Sequence, residues 1–177
     1  MEMAAMPPYP PAMSEAAELH DRDFYAWTQA QAALLRAWPE ALRPNALDIA
    51  NLAEEIEDLG KSERRAIESL IGQIVIHLLK LRCHPDQTAR RAWQKEVAAF
   101  RPRLARLLRD NPSLRAARAE IAAEVWAPVA RQLEQELDID GFAGRAALSW
   151  LADPSGPCFD LDREVLAEGW FPPPPAA

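Results

Sequence analysis

The chain has 177 residues, of which 49% are hydrophobic and 27% charged, so one buried core fits it better than two domains. Its formal net charge of -7 argues against general nucleic-acid binding, where neutralising phosphates is the main affinity term. Two cysteines, Cys83 and Cys158, stand outside any Cys-x-x-Cys pair, which removes zinc-knuckle and dithiol readings.

Proline and small side chains dominate residues 1–18, which read as a disordered lead. That stretch lacks the basic and apolar regions of a signal peptide, and the sequence has no run of about 18 apolar residues. The expectation is a cytoplasmic protein with no membrane span. A single helical domain is expected over 19–170, followed by a proline-rich tail at 171–177. Its first helical pattern starts near Asp21, with Asp23 as a cap and Phe24, Trp27, Ala30, Leu34 and Trp38 at helical spacing. Pro39 ends the pattern, and Arg43-Pro44-Asn45 makes a turn.

The most regular segment follows. Ile49, Leu52, Ile56, Leu59, Ile67, Leu70, Ile74, Leu78 and Leu81 stay in phase on one helical face. One straight helix of that length would run roughly 50 Å, long for a small globule. The reading is therefore two helices, 46–59 and 61–82, with a break or kink at Gly60 and Asn45 or Asp48 capping the first. A third pattern, Trp93, Val97, Phe100, Leu104 and Leu107, has heptad spacing, with Pro102 set to kink it. Asn111-Pro112-Ser113 marks a boundary with a serine cap. A fourth pattern runs from Leu114 to Leu137 through Pro128. Helices near 143–152 and 161–168 complete an all-α, small helical bundle of about four to six helices.

His77 lies on the apolar stripe between Ile74, Leu78 and Leu81. A buried polar group left unpaired costs about 1–3 kcal/mol, so this imidazole needs a partner. It is either a core histidine bonded to a facing helix, or a metal ligand or general base. Glu63 falls in the same stripe, but on a straight helix it is about 21 Å from His77 and cannot share a metal with it. Three residues after Gly60, it fits the first turn of a new helix, where a carboxylate complements the dipole. Within the acidic run Glu54, Glu55, Glu57 and Asp58, only Glu55 borders the stripe, where it could meet His77 or Lys80 across a helix pair.

The Glu-x-x-His motif of dinuclear metal bundles is missing, because Ile74 and Leu81 occupy the positions three before His77 and His84. The third helix is basic, with Arg90, Arg91, Lys95, Arg101, Arg103, Arg106 and Arg109. It offers a patch to an acidic partner or a phosphate backbone, or a neighbour that the acidic second helix neutralises. Asp138-Ile139-Asp140-Gly141 lacks the third acid and terminal glutamate of a calcium loop. No nucleotide-binding, nucleophile-elbow or zinc-protease motif is present, and nothing names a cofactor.

Several spaced blocks carry a resemblance. Asp23-Phe24-Tyr25-Ala26-Trp27, the run from Leu52 through Leu59-Gly60-Lys61-Ser62-Glu63-Arg64-Arg65, His77-Leu78-Leu79-Lys80, and Asn111-Pro112-Ser113-Leu114-Arg115 resemble the bacterial family called domain of unknown function twenty-nine. The likeness covers about residues 21–137, and more loosely Phe159 to Trp170-Phe171-Pro172. It implies a small bacterial helical bundle and no known substrate, cofactor or catalytic residue. The positions matching the family motif that draw attention are Glu55, Glu63, His77 and Lys80.

The leading expectation is a non-enzymatic interaction module acting with a protein partner. The alternative is a metal-dependent or acid–base enzyme with a polar site centred on His77 and Glu55, supported by Glu63 or Asp23. An exposed Trp27 or Trp38 would mark an interface.

Overall fold

Two aspartates start the two helices of the amino-terminal half. Asp23 accepts a hydrogen bond from the Ala26 N–H at 3.0 Å, and Asp48 one from the Asn51 N–H at 3.2 Å. Each satisfies an amide that the first helical turn leaves unpaired. In a computed structural model describing residues 15–84, 88–142 and 158–174, these open α2 (Phe24–Arg36) and α3 (Ile49–Cys83). A short helix, α1 (Glu15–Arg22), precedes them and begins inside the stretch expected to be a disordered lead. Then come α4 (Arg90–Asp110), α5 (Pro112–Ala116), α6 (Arg118–Ile139) and one π-helical turn, Leu161–Val165. Among the described residues there is no strand.

The long helix is unbroken. α3 runs 35 residues through Gly60, correcting the two-helix reading of 46–59 and 61–82. Its glycine serves contact between helices. A Cβ at Gly60 would overlap Thr28 Oγ1 and lie 3.3 Å from Thr28 Cβ, so its absence lets α2 and α3 meet closely. Thr28 is fully buried there, its hydroxyl donating to the Tyr25 carbonyl at 2.7 Å. Arg36, further along α2, pairs with Glu57, earlier on α3, so the two helices run antiparallel. α3 can be long because its first half pairs with α2 as a two-helix arm, and the core surrounds only its second half.

That second half is enclosed. Ile67, Leu70, Ile71, Ile74, Val75, Leu78, Leu79 and Leu81 are all buried, against α4, α6 and the carboxy-terminal Phe159 and Val165. α4 and α6 contain Pro102 and Pro128 and continue through both. The buried seam of α4 is Val97, Arg101, Leu104 and Leu108, while Trp93, Phe100 and Leu107 are only partly covered. The heptad is therefore rotated from the expected one, with an arginine inside it.

Asn111, and not Ser113, organises the boundary after α4. Its Oδ1 accepts from the Tyr25 N–H at 2.9 Å, and its Nδ2 donates to the Leu107 carbonyl at 3.0 Å. In return, the Ser113 N–H and hydroxyl donate to Asp23 at 2.6 and 2.8 Å. α2 and the start of α5 thus cap one another across the fold. The helix expected near 161–168 is the single π-helical turn, capped by Asp160, which accepts from the Arg163 N–H at 2.7 Å. The one expected near 143–152 lies outside the described residues.

Candidate functional site

His77, Lys80 and His84 recur at three and four residues along α3, so they project from one side of it. Each crosses to another helix. His77 Nδ1 is 2.8 Å from the Gln73 carbonyl, and its Nε2 contacts the Glu96 carboxylate of α4. Lys80 lies 2.5 Å from Glu136 of α6, which also accepts from Gln132 at 2.9 Å. His84 faces Asp140 at 3.4 Å, with its ring edge-on to Trp93 and Phe142.

Charge balance in this ladder is local. Burial alone would raise the Glu136 carboxyl, but contact with Lys80, the Gln132 hydrogen bond and the nearby charge of His77 outweigh it. They hold the group below its ordinary value of 4.5. Both ring nitrogens of His77 face oxygen atoms, the Gln73 carbonyl and the Glu96 carboxylate. A metal would have to displace the carbonyl or the carboxylate. Among the described residues no group of three or more histidine, cysteine or acidic side chains could hold a metal ion. The ladder ties α3 to α4 and α6.

The other expected residues lie elsewhere. Glu55 is exposed on the arm, 22 positions before His77 on one continuous helix, and so about 33 Å away along the axis. Glu55 therefore meets neither His77 nor Lys80. Glu63 accepts from Asn111 Nδ2 at 3.2 Å, within the capping exchange that also uses Asp23. It sits in mid-helix and starts no turn. The acidic run is met by Arg36 and Lys61, not by the basic α4. Cys83 and Cys158 are free thiols, both pushed up to about 11 chiefly by burial.

A different surface stands out. Seven large hydrophobic side chains are exposed among the described residues, and six of them (Leu34, Trp38, Leu42, Leu47, Leu52 and Leu59) lie between positions 34 and 59. Leu52 and Leu59 are two turns apart on one side of α3, and Leu34 is 64% exposed. The sequence pattern assigned Leu34, Leu52 and Leu59 to helical apolar faces; here they border the buried faces and remain in solvent. Beside them, Glu55 has no ion-pair partner among the described residues.

Fold and surface together define an all-α bundle with an apolar-edged helical arm. The chain belongs to the family described as domain of unknown function DUF29, whose model matches residues 19–170. It is similar to the crystal structure of an α-helical protein of unknown function from Rhodospirillum rubrum ATCC 11170. That similarity has a TM-score of 0.67 at 27% identity and covers 85% of this chain and 90% of the other. No curated protein matches it. No helix among the described residues is long and apolar enough to cross a membrane.

Proposed function

We propose that the protein is a docking module whose arm, α2 with the first half of α3, receives a helical segment of a partner protein. The concentration of exposed leucine and tryptophan between Leu34 and Leu59 carries the reading, because exposed apolar side chains gathered in one region mark interaction sites. Charge selects the kind of partner. Glu55 borders Leu52 and Leu59 without a counter-ion among the described residues, so the complementary segment has an apolar stripe edged by lysine or arginine. Binding of this kind needs no catalytic group, which agrees with the saturated contacts of His77 and Lys80.

The test is site-specific photo-crosslinking from positions 52 and 59 in cells of the source organism, with position 103 as control. The adduct is then identified and its binding rebuilt from purified components. The reading expects a basic amphipathic helix in the adduct, and loss of binding in a Leu52→Ser/Leu59→Ser variant that keeps its fold. Adducts containing only this chain would replace the partner with a second copy. Equal yields from position 103 would sink the docking surface.

A further inference from the structure

Sharing no residue with the histidine ladder or the arm's leucines, a cavity of about 510 Å³ opens where α4, α5, the start of α6 and the π-helical turn meet. Four arginines line it, Arg101, Arg109, Arg115 and Arg118, against one acid, Asp162. That acid is already committed. Arg118 grips it with two hydrogen bonds, Nε to Oδ1 at 3.0 Å and Nη2 to Oδ2 at 2.9 Å. Arg109 has only the neighbouring Asp110 at 3.3 Å, with both side chains mostly in solvent, and Arg115 is exposed.

Arg101 is the unusual member. It is 4% exposed and makes no ion pair among the described residues. Its Nε donates to the Val165 carbonyl at 3.0 Å and its Nη2 to the Glu164 carbonyl at 2.8 Å, while Nη1 is shut from solvent with no hydrogen-bond partner among the described residues. The ring of Phe171 lies 5.3 Å from the guanidinium carbon. Burying a cation without a counter-ion costs several kcal/mol, and removing Arg101 from the apolar seam would avoid that cost. Burial does depress its proton affinity, with only Glu168 acting against this from a distance. Guanidinium nevertheless stays charged at neutral pH. A buried, unpaired positive charge therefore stands at the wall of a cavity whose other free charges have the same sign.

We infer that this cavity binds a small organic phosphate monoester, with Arg109 and Arg115 contacting the phosphate and Arg101 supplying a fixed positive field behind it. A dianion matches the excess of three positive charges (four arginines less Asp162) better than a monocarboxylate does. The volume falls within the range of ligand pockets and exceeds what a bare ion would fill, and Leu108 and Leu166 provide an apolar wall for the organic group.

The experiment is calorimetric titration of the full chain in low-salt buffer free of phosphate and sulfate, with phenyl phosphate and inorganic phosphate as probes. Phenyl phosphate should bind saturably, about tenfold or more tighter than inorganic phosphate, and weaken as salt rises. An Arg109→Gln/Arg115→Gln variant, changed only at exposed positions, should melt like the parent and lose about tenfold or more in affinity. The Leu52→Ser/Leu59→Ser variant should bind as the parent does, which separates this site from the docking arm. No saturable binding of phenyl phosphate in the millimolar range overturns the site. Undiminished binding in the arginine variant does the same, and equal affinity for the two probes overturns the organic ester.

Discussion

The two halves of α3 share one helix and one apolar phase, yet they have opposite environments. From Ile67 to Leu81 ten of the fifteen residues are buried, including residues on the faces that the stripe leaves out, such as Val75, Ile76 and Leu79, while Ser69 and Gln73 are exposed. From Ile49 to Gly60 only Ile49, Ala53 and Gly60 are buried, and Leu52 and Leu59 are in solvent. A helix packed by one neighbour buries a narrow strip, whereas one enclosed by several buries its circumference. The same residue type then differs in what it contributes. Leu78→Ala should cost about 2–5 kcal/mol of unfolding free energy, while Leu59→Ala should stay within about 0.5 kcal/mol. Urea denaturation of both variants checks this, and similar losses would mean that the arm's leucines are covered in the free protein.

Gly60 offers a sharper break of the comparison, since it sits where the arm's two helices touch. Helix propensity alone favours Gly60→Ala by about 1 kcal/mol. The overlap with Thr28 Oγ1 opposes it, and overpacking a tight contact costs about 1–3 kcal/mol. The expected outcome is net destabilisation, reversed at least in part when Thr28→Ala is added. Stabilisation by Gly60→Ala alone would mean that α2 and α3 do not cross tightly at this point.

The caps extend the contrast. Asp48 serves only its own helix, bonding Asn51 through backbone and side chain. Asp23 caps α2 and also accepts both hydrogen bonds from Ser113. Asp23→Ala should therefore cost about 2 kcal/mol and Asp48→Ala about 1 kcal/mol or less. Thermal melts would show the order, and equal losses would remove the link between α2 and α5.

Periodicity made the helices legible, and the cap Asp23 could be read from residue type and position, whereas Asp48 was one of two alternatives with Asn45 that the structure decides. What periodicity could not reveal was how many neighbours each helical face has. It gave Leu52 and Leu78 the same standing, because phase records orientation about an axis and carries nothing about the second helix. Gly60 illustrates the same limit, since local propensity signals a stop and only the partner Thr28 turns that signal into a contact. Partner choice was equally hidden: Lys80 takes Glu136 and His77 takes Glu96, acids 56 and 19 positions away, and Glu55 takes neither. Arg101 had a usable signal, four after Val97 and three before Leu104, which places it in the heptad seam. Its charge made it read as surface.

The smallest expected effect compares ion pairs in the two regions. Glu136 in the body and Glu57 on the arm are both partly covered, but their cations differ, since Lys80 is mostly covered and Arg36 is half in solvent; both carboxyls lie below their ordinary value of 4.5. For Glu57 the hydrogen bond from Arg36 is the leading cause; for Glu136 the Lys80 and Gln132 contacts overcome the opposing effect of burial. A depressed folded value means the unfolded chain takes up protons first as pH falls. The stabilisation is thus present above about 4.5 and is lost as pH drops through the folded value. Glu136→Gln should cost up to about 1 kcal/mol at pH 7, and its curve should converge on the parent's in acid. Glu57→Gln should show a weaker effect that molar salt abolishes, since exposed pairs are screened. Stability curves of the two variants from pH 7 to pH 3 read this directly. A Glu136→Gln difference that persists unchanged at pH 3 would mean that the glutamine disturbs packing and that the lost charge is not the cause.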